Sequence, residues 1–211
     1  VVMEASTLAL EDKHAFHDIL AAKGHIPLDI PLSGTGAQAA VKDLVIYASG
    51  DSAEIKRLSP LFMDFGRKVF DLGGFGNGTK MKYVANHLVA IHNVASAEAM
   101  VLGMKAGLDP KTMVEVIGTG AGSSRIFELR APMMAANLYL PATMRNSTWK
   151  KDMTVIGDFA MEIDCPTPLF TLTQSIYAAA LNMGLGAQDT GAACTVLEAM
   201  AGIKRKAAIA D

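Results

Sequence analysis

Cysteine is scarce in this sequence, which has two among its 211 residues, Cys165 and Cys194. Two thiols cannot build the disulfide framework of a small secreted domain, and their separation does not match the spacing of zinc ligands. Free thiols in a chain of this length are typical of the reducing cytoplasm. We therefore predict a cytoplasmic protein without a metal site.

A strong net charge and long apolar runs are also lacking. The formal net charge is -2, and the one basic cluster, residues 204–206, is more typical of a solvated helix end than of a nucleic-acid surface. Polar residues interrupt every apolar stretch before it reaches the roughly 18 residues of a membrane span. We therefore predict that the protein binds neither nucleic acid nor a membrane.

Apolar residues are plentiful, at 51% of the chain against 19% charged residues. This balance is typical of a globular protein with a substantial core. Up to about residue 76, short strand-like runs alternate with helical patterns, for example a strand at 43–49 and a helix at 52–65. The alternation predicts parallel strand–helix–strand units and thus an α/β domain.

Beyond Gly78 the sequence contains no convincing strand. A long helix is predicted from about 79 to 106, and Asp109-Pro110 begins another. Further helices are predicted at 124–137, 147–163, 168–183 and 190–201. We therefore divide the chain into an α/β domain, residues 1–76, and an all-α domain with a long central helix, residues 77–211.

A glycine-rich turn leads directly into the long helix, in the segment Gly76–Asn86 (GNGTKMKYVAN). Lys82 and Asn86 are four residues apart and therefore project from one face of that helix. A lysine beside a carboxamide near a helix start can polarise a substrate oxygen and exchange a proton with it. Spacing alone leaves open an ordinary solvated pair, but these two residues are the first candidates for catalysis.

The segment Gly34–Ala39 (GTGAQA) matches the dinucleotide-binding pattern G-x-G-x-x-A. Its context argues against that function, because only about six residues separate Gly36 from the strand at 43–49, whereas a crossover between parallel strands needs about ten or more. We interpret residues 33–36 as a loop whose backbone N–H groups and Ser33 hydroxyl face a small anion such as a carboxylate.

Two other arrangements of reactive side chains carry less weight. Ser33 and Lys82 could form a hydrolytic dyad, but no strand–turn–helix nucleophile elbow surrounds Ser33. His14 and His17 share a predicted helix face, yet no carboxylate or cysteine pattern completes a metal site. Neither arrangement competes with the pair on the long helix.

Four motifs, in order, resemble those of the β-hydroxyacid dehydrogenases, the family that includes 3-hydroxyisobutyrate dehydrogenase, tartronate semialdehyde reductase and the glyoxylate/succinic semialdehyde reductases. The resemblance covers essentially the whole chain. The matching segments are Glu4–Thr7 (EAST), Asp29–Ala37 (DIPLSGTGA), Gly76–Asn86 and Lys151–Asp152.

This resemblance implies a Rossmann-like first domain and an all-α second domain that builds a homodimer or homotetramer. It also implies an NAD- or NADP-dependent oxidoreductase that interconverts a small 3-hydroxy acid and its aldehyde or keto form, with Lys82 as the general acid/base. Substrate binding is implied for Ser33, Gly34, Thr35, Asn86 and Asp152, and cofactor binding for Thr7 and Lys151.

Some positions depart from the family pattern. Ala85 replaces a common asparagine, and Thr35 replaces the second glycine of the substrate loop. The sister enzyme 6-phosphogluconate dehydrogenase has K-x-x-H-N on this helix, so Ala85 argues against that activity. The related imine reductases usually lack the lysine, so Lys82 argues against them.

The family's first strands, with a G-x-G-x-x-G loop, are expected about ninety residues upstream. The chain begins at Val1 in a strand-like run, so we expect a partial dinucleotide-binding domain whose N-terminal strands are missing. The alternative is a truncated, non-catalytic helical oligomerisation module derived from the same family.

Overall fold

A computed structural model of the chain describes residues 1–205. The strands are β1 (Val2–Glu4), β2 (Pro27–Asp29), β3 (Leu32–Ser33), β4 (Leu44–Ala48) and β5 (Gly66–Asp71). The helices are α1 (Leu10–Ala21), α2 (Gly36–Ala40), α3 (Ser52–Met63), α4 (Asn77–Lys105), α5 (Pro110–Gly118), α6 (Arg125–Ala136), α7 (Asn146–Glu162), α8 (Pro168–Asn182) and α9 (Ala193–Met200).

The chain packs into two compact units. The first consists of residues 1–86 and 154–165, and the second of residues 87–153 and those from 166 onward. Helix α4 therefore begins in the first unit and ends in the second. Helix α7 begins in the second unit and ends in the first. The domain boundary between residues 76 and 77 stays a prediction.

The strands of the first unit form two short sheets. In one, β1 and β2 run parallel, with Met3 opposite Leu28, and α1 connects them. In the other, β4 and β5 run parallel, with Ile46 opposite Val69, and α3 connects them. The predicted parallel strand–helix–strand units are confirmed for these two pairs.

The segment between β2 and β4 is more ordered than the predicted loop. Strand β3 pairs antiparallel with β4, and the short helix α2 lies between the two strands in the sequence. Thr35 precedes α2, and its N–H and hydroxyl both donate to Oε1 of Gln38, at 2.8 and 2.6 Å. This capping interaction fixes the backbone between Thr35 and Gln38, where the neighbouring glycines would otherwise allow several conformations. Because β3 and β4 are antiparallel, GTGAQA does not lie in a parallel crossover, in agreement with the argument from sequence spacing.

The core of the first unit lies between its central strands and α3. Along β4, Leu44, Ile46 and Ala48 are buried while the residues between them are partly exposed, the period-two pattern of a strand. The apolar cluster comprises Leu28, Ile30, Ile46, Ala48, Ile55 and Phe62. Burial of these side chains holds the carboxyl ends of β2 and β4 in fixed positions.

Among the described residues of the second unit, the regular structure is entirely helical. Asp109 and Ser124 cap α5 and α6 by accepting the N–H groups of Thr112 and Phe127, at 2.8 and 3.0 Å. Helix α5 packs against α6, and α8 packs against α9. Every helix within residues 1–205 is too short or too polar to serve as a membrane span.

The basic cluster near the C-terminus differs from the predicted solvated helix end. Arg205 is partly buried, forms an ion pair with Glu198 and donates to the carbonyl of Ala135 at 3.1 Å. The prediction is wrong for Arg205 because its guanidinium contacts Glu198 and Ala135 within the second unit instead of lying in solvent. Lys206 lies outside the described residues.

Candidate active site

Helix α4 carries Lys82 and Asn86, the two first candidates for catalysis. Lys82 and Asn86 both lie in the part of α4 that belongs to the first unit, one helical turn apart. Lys82 is partly exposed, whereas Asn86 is only 5% exposed. The placement on one face is confirmed, because α4 is α-helical throughout. A partly exposed lysine thus lies one helical turn before a buried asparagine.

The start of α4 lies directly against the ends of two strands. A Cβ atom at Gly78 would lie 2.3 Å from the carbonyl oxygen of Tyr47 in β4 and 3.0 Å from that of Asp29 in β2. Only glycine permits this approach. The second glycine of the G-N-G turn therefore sets how close the helix bearing Lys82 comes to the strands.

A hydrogen bond ties α4 to the segment that follows β1. The Tyr83 hydroxyl donates to the carbonyl of Leu8, and the buried Tyr83 ring lies 5.2 Å from that of Phe159. Leu8 directly follows Thr7, and Tyr83 directly follows Lys82. The segment assigned to cofactor binding is therefore held beside the helical turn assigned to catalysis.

The proposed anion loop has a defined shape. Ser33 is the last residue of β3 and is partly exposed, while Gly34 is left-handed with φ 126°. A Cβ atom at Gly34 would lie 2.6 Å from Cδ2 of Leu44, so a larger residue would force either the loop or the Leu44 side chain to move. The hydroxyl of Thr35 is already donated to Gln38. The Ser33 hydroxyl and the Gly34 N–H are therefore the better candidates for binding an anion.

Lys151 and Asp152 belong to α7 in the second unit. Lys151 Nζ lies 3.1 Å from Asp152 Oδ1, and the two side chains are 48% and 9% exposed. The start of α7 is held by Asn146, whose side-chain amide donates to the carbonyls of Leu185, Gln188 and Asp189. The K-D pair is therefore an ion pair on a well-anchored helix.

Sequence reasoning missed a buried polar cluster at the start of α4, formed by Lys13, Asp29, Ser49 and Thr79. Asp29 was visible only as the first residue of the anion-loop motif, and Lys13 gave no local signal. Their contacts join residues that are 16 to 50 positions apart. No pattern of neighbouring residues could have predicted them.

Titratable side chains elsewhere in the described chain do not form a metal site. Within residues 1–205, no group of three or more His, Cys, Asp and Glu side chains is arranged to hold a metal ion. His17 instead packs against the ring of Phe75, at a centroid distance of 4.7 Å.

Comparison with protein families gives matches along most of the chain. Residues 76–197 match the family described as NAD-binding of NADP-dependent 3-hydroxyisobutyrate dehydrogenase. Residues 1–74 match the family described as the NAD binding domain of 6-phosphogluconate dehydrogenase. NAD or NADP is therefore confirmed as the cofactor class of these relatives.

Individual relatives agree with this result. The chain is 33% identical to L-threonate dehydrogenase of Haemophilus influenzae over 192 residues, which are 90% of this chain and 64% of the relative. It is 30% identical to the chloroplastic glyoxylate/succinic semialdehyde reductase 2 of Arabidopsis thaliana, over 83% of this chain and 49% of the relative.

Structural comparison points the same way. The crystal structure of a 3-hydroxyisobutyrate dehydrogenase from Salmonella typhimurium aligns with a TM-score of 0.85 at 29% identity, over 92% of this chain and 68% of that one. The chain spans less than two thirds of the length of the L-threonate dehydrogenases that it matches. Since the match at residues 76–197 covers more than half of the sequence, the chain belongs to the β-hydroxyacid dehydrogenase family.

Proposed function

We propose that this chain carries the catalytic part of an NAD(P)-dependent enzyme that interconverts a small 3-hydroxy acid and its aldehyde or keto form. The observation that supports this proposal best is that the partly exposed Lys82 and the buried Asn86 share one face of a helix that begins against the ends of β2 and β4. Ligands of open α/β sheets bind at the carboxyl ends of the strands.

Lys82 acts as the general acid/base. Oxidation of a hydroxyl group needs a base that takes its proton, and reduction of the carbonyl needs an acid that returns it. A lysine amine performs both roles and, when protonated, stabilises negative charge on the substrate oxygen. Asn86 lies one turn further along the same face and orients that oxygen, because a carboxamide both donates and accepts hydrogen bonds.

The substrate carboxylate binds to the loop after β3. The Ser33 hydroxyl and the Gly34 N–H donate to it, and Thr35 shapes the loop through its bonds to Gln38. Asp152 is assigned to the substrate by the family resemblance alone, and that assignment stays a prediction. Assembly into a homodimer or homotetramer and a cytoplasmic location are also still predictions.

When bound, NAD or NADP supplies the hydride acceptor or donor of the reaction. Thr7 and Lys151 are the residues of this chain that we assign to it. Thr7 fits this assignment because it is partly buried and follows the carboxyl end of β1, which pairs in parallel with β2. The hydrogen bond between Leu8 and Tyr83 keeps this segment next to the turn that carries Lys82.

Steady-state kinetics of the complete gene product test the proposal. L-threonate, 3-hydroxyisobutyrate, glyoxylate and succinic semialdehyde would each be assayed with NAD(H) and NADP(H). We expect turnover of at least one of them, and Lys82→Ala should lower kcat by about 100- to 10,000-fold. Lys56→Ala, which removes an exposed lysine from α3, is the matched control and should leave kcat unchanged.

Two outcomes would contradict the proposal. Full turnover by Lys82→Ala would show that Lys82 is not the general acid/base. Absence of both turnover and cofactor binding in a folded, oligomeric gene product would instead support the non-catalytic oligomerisation module.

A further inference from the structure

The carboxylate of Asp29 is completely buried and accepts hydrogen bonds from three other parts of the first unit. Its Oδ2 accepts the backbone N–H of Thr79 at 2.7 Å and the hydroxyl of Ser49 at 3.2 Å. Its Oδ1 accepts the hydroxyl of Thr79 at 2.8 Å and the ammonium of Lys13 at 3.0 Å. The two contacts from Thr79 and the one from Lys13 have the distances of well-formed hydrogen bonds, and the contact from Ser49 is longer.

These contacts form the N-terminal cap of α4. A helix leaves its first N–H groups without partners inside the helix. Here Thr79 donates to Asp29, and Gly78 donates to the Ser49 hydroxyl at 2.9 Å. The negative charge of Asp29 also lies at the positive end of the helix dipole, where it is stabilising.

Lys13 balances the charge of this cluster. It is fully buried in α1 and pairs with Glu4 as well as with Asp29. A buried ammonium is costly unless it is paired, so its location links β1, α1 and β2 to the start of α4. Ion pairs as well as backbone contacts therefore connect the strands to the start of α4.

The capped turn lies next to the turn that carries the amine. Thr79 and Lys82 are three residues apart, so they are neighbours on the surface of α4. The hydrogen bonds to Thr79 fix both the rotation of the first turn about the helix axis and its distance from the strands. The absence of space for a side chain at Gly78 fixes the same distance independently.

We propose that Asp29, held by Lys13, is a positioning residue for Lys82: its buried carboxylate locks the first turn of α4 and thereby aims the amine at the substrate oxygen. This inference rests on the proposed function of Lys82. Asp29 has no contact with the substrate in this scheme and acts only through the helix.

Asp29→Asn in the complete gene product tests the inference, because asparagine keeps the shape but removes the charge that pairs with Lys13. We expect kcat to fall by about 10- to 100-fold, since small displacements of a catalytic group have effects of this size. KM for the substrate should change by no more than about threefold, because Ser33 and Gly34 bind the carboxylate. The pH dependence of kcat should also shift.

A double-mutant cycle separates positioning from a general loss of structure. If Asp29 acts through Lys82, adding Asp29→Asn to Lys82→Ala should cause no further loss of the residual rate. Phe62→Leu, a core substitution in the same unit but outside the cluster, is the stability control and should retain the wild-type kcat. If Asp29→Asn does not fold, Thr79→Val replaces it, because valine removes only the hydroxyl bond to Asp29.

The outcomes distinguish this inference from the proposed function. If Lys82→Ala keeps full turnover, the proposed function fails. If Lys82→Ala is inactive while Asp29→Asn or Thr79→Val keeps the wild-type kcat and pH profile, only the positioning role is overturned. Equal losses of kcat in Asp29→Asn and Phe62→Leu would also overturn it.

Discussion

Arg130 and Asp189 form a buried ion pair in the second unit, with 2.8 Å between Nε of Arg130 and Oδ1 of Asp189. The other carboxylate oxygen of Asp189 accepts the N–H and hydroxyl of Thr143 and the N–H of Met144. Asp189 also caps the turn that leads into α9, through the N–H of Gly191. One carboxylate thus connects α6, the segment before α7 and the start of the last described helix.

Removing the arginine of this pair should be strongly destabilising. Arg130→Met leaves the buried charge of Asp189 without its partner, and we expect the free energy of unfolding to fall by about 3–5 kcal/mol. Arg125→Met on the same helix is the matched control, since Arg125 pairs with Glu128 at the surface and should cost less than about 1 kcal/mol. Urea unfolding followed by the fluorescence of Trp149, the sole tryptophan, measures both. Equal effects of the two variants would contradict the importance of burial.

Two glycine substitutions should have opposite effects on stability. Gly78→Ala places a Cβ atom 2.3 Å from the backbone oxygen of Tyr47, which cannot move aside as a side chain would. We expect a loss of about 3 kcal/mol or more in the free energy of unfolding. Gly118→Ala, at the end of α5, meets no atom within 4 Å and should stabilise the protein by up to about 1 kcal/mol. Chemical unfolding monitored by circular dichroism measures both effects. An unchanged free energy of unfolding for Gly78→Ala would contradict the close approach of α4 to β4.

The acid dependence of stability should depend on Glu4. Partial burial opposes the charged form, but hydrogen bonds from Lys13 and Ser6 outweigh it and hold the pKa of the Glu4 carboxyl below its usual 4.5. Because the folded pKa lies below the unfolded one, the stabilisation is fully present above pH 4.5 and is lost as pH falls through the folded pKa. The free energy of unfolding of Glu4→Gln should therefore vary less steeply than that of the wild type between about pH 5 and pH 3.

The Lys13→Met background provides the control for this pH experiment. In the Lys13→Met background, which lacks the ammonium, Glu4→Gln should change the acid dependence of the free energy of unfolding much less than it does in the wild type. Parallel wild-type and Glu4→Gln curves below pH 4.5 would contradict the contact between Glu4 and Lys13.

The two thiols should differ in reactivity. Cys165 is exposed, whereas Cys194 is buried, and burial together with the neighbouring Glu198 carboxylate raises the pKa of the Cys194 thiol to about 12. At pH 8, one thiol of the native protein should react rapidly with an aromatic disulfide reagent and release one equivalent of the coloured aromatic thiolate. The second thiol should react only when the protein is unfolded. Cys165→Ser should abolish the rapid phase and Cys194→Ser should leave it intact. Two rapid thiols in the native protein would contradict this arrangement.

Local sequence signals predicted much of the fold. The strand predicted at 43–49 is present as β4, and the helix predicted at 79–106 is present as α4. Capping chemistry explains the success at Asp109 and Ser124, because the relevant hydrogen bonds join residues three positions apart. The short elements β3 and α2 were not predicted. A two-residue strand has no measurable periodicity, and the Thr35–Gln38 cap was hidden in a glycine-rich pattern.

The candidate site was predictable only to the extent that its residues share one element. The spacing of Lys82 and Asn86 sufficed to place them on one helix face. The residues that hold that helix were invisible, because Lys13, Asp29 and Thr79 meet through the fold and not along the chain. The functional roles of the site residues stay predictions, to be decided by kinetics.

The cap of α4 also has a consequence for the order of folding. The acceptor for the N–H of Thr79 lies 50 residues earlier in the chain, so the nascent helix cannot complete its own first turn. A peptide of residues 77–105 should accordingly be helical in its middle but frayed at its start. The first turn of α4, three residues before Lys82, is therefore completed only after β2 and Ser49 have come together with it.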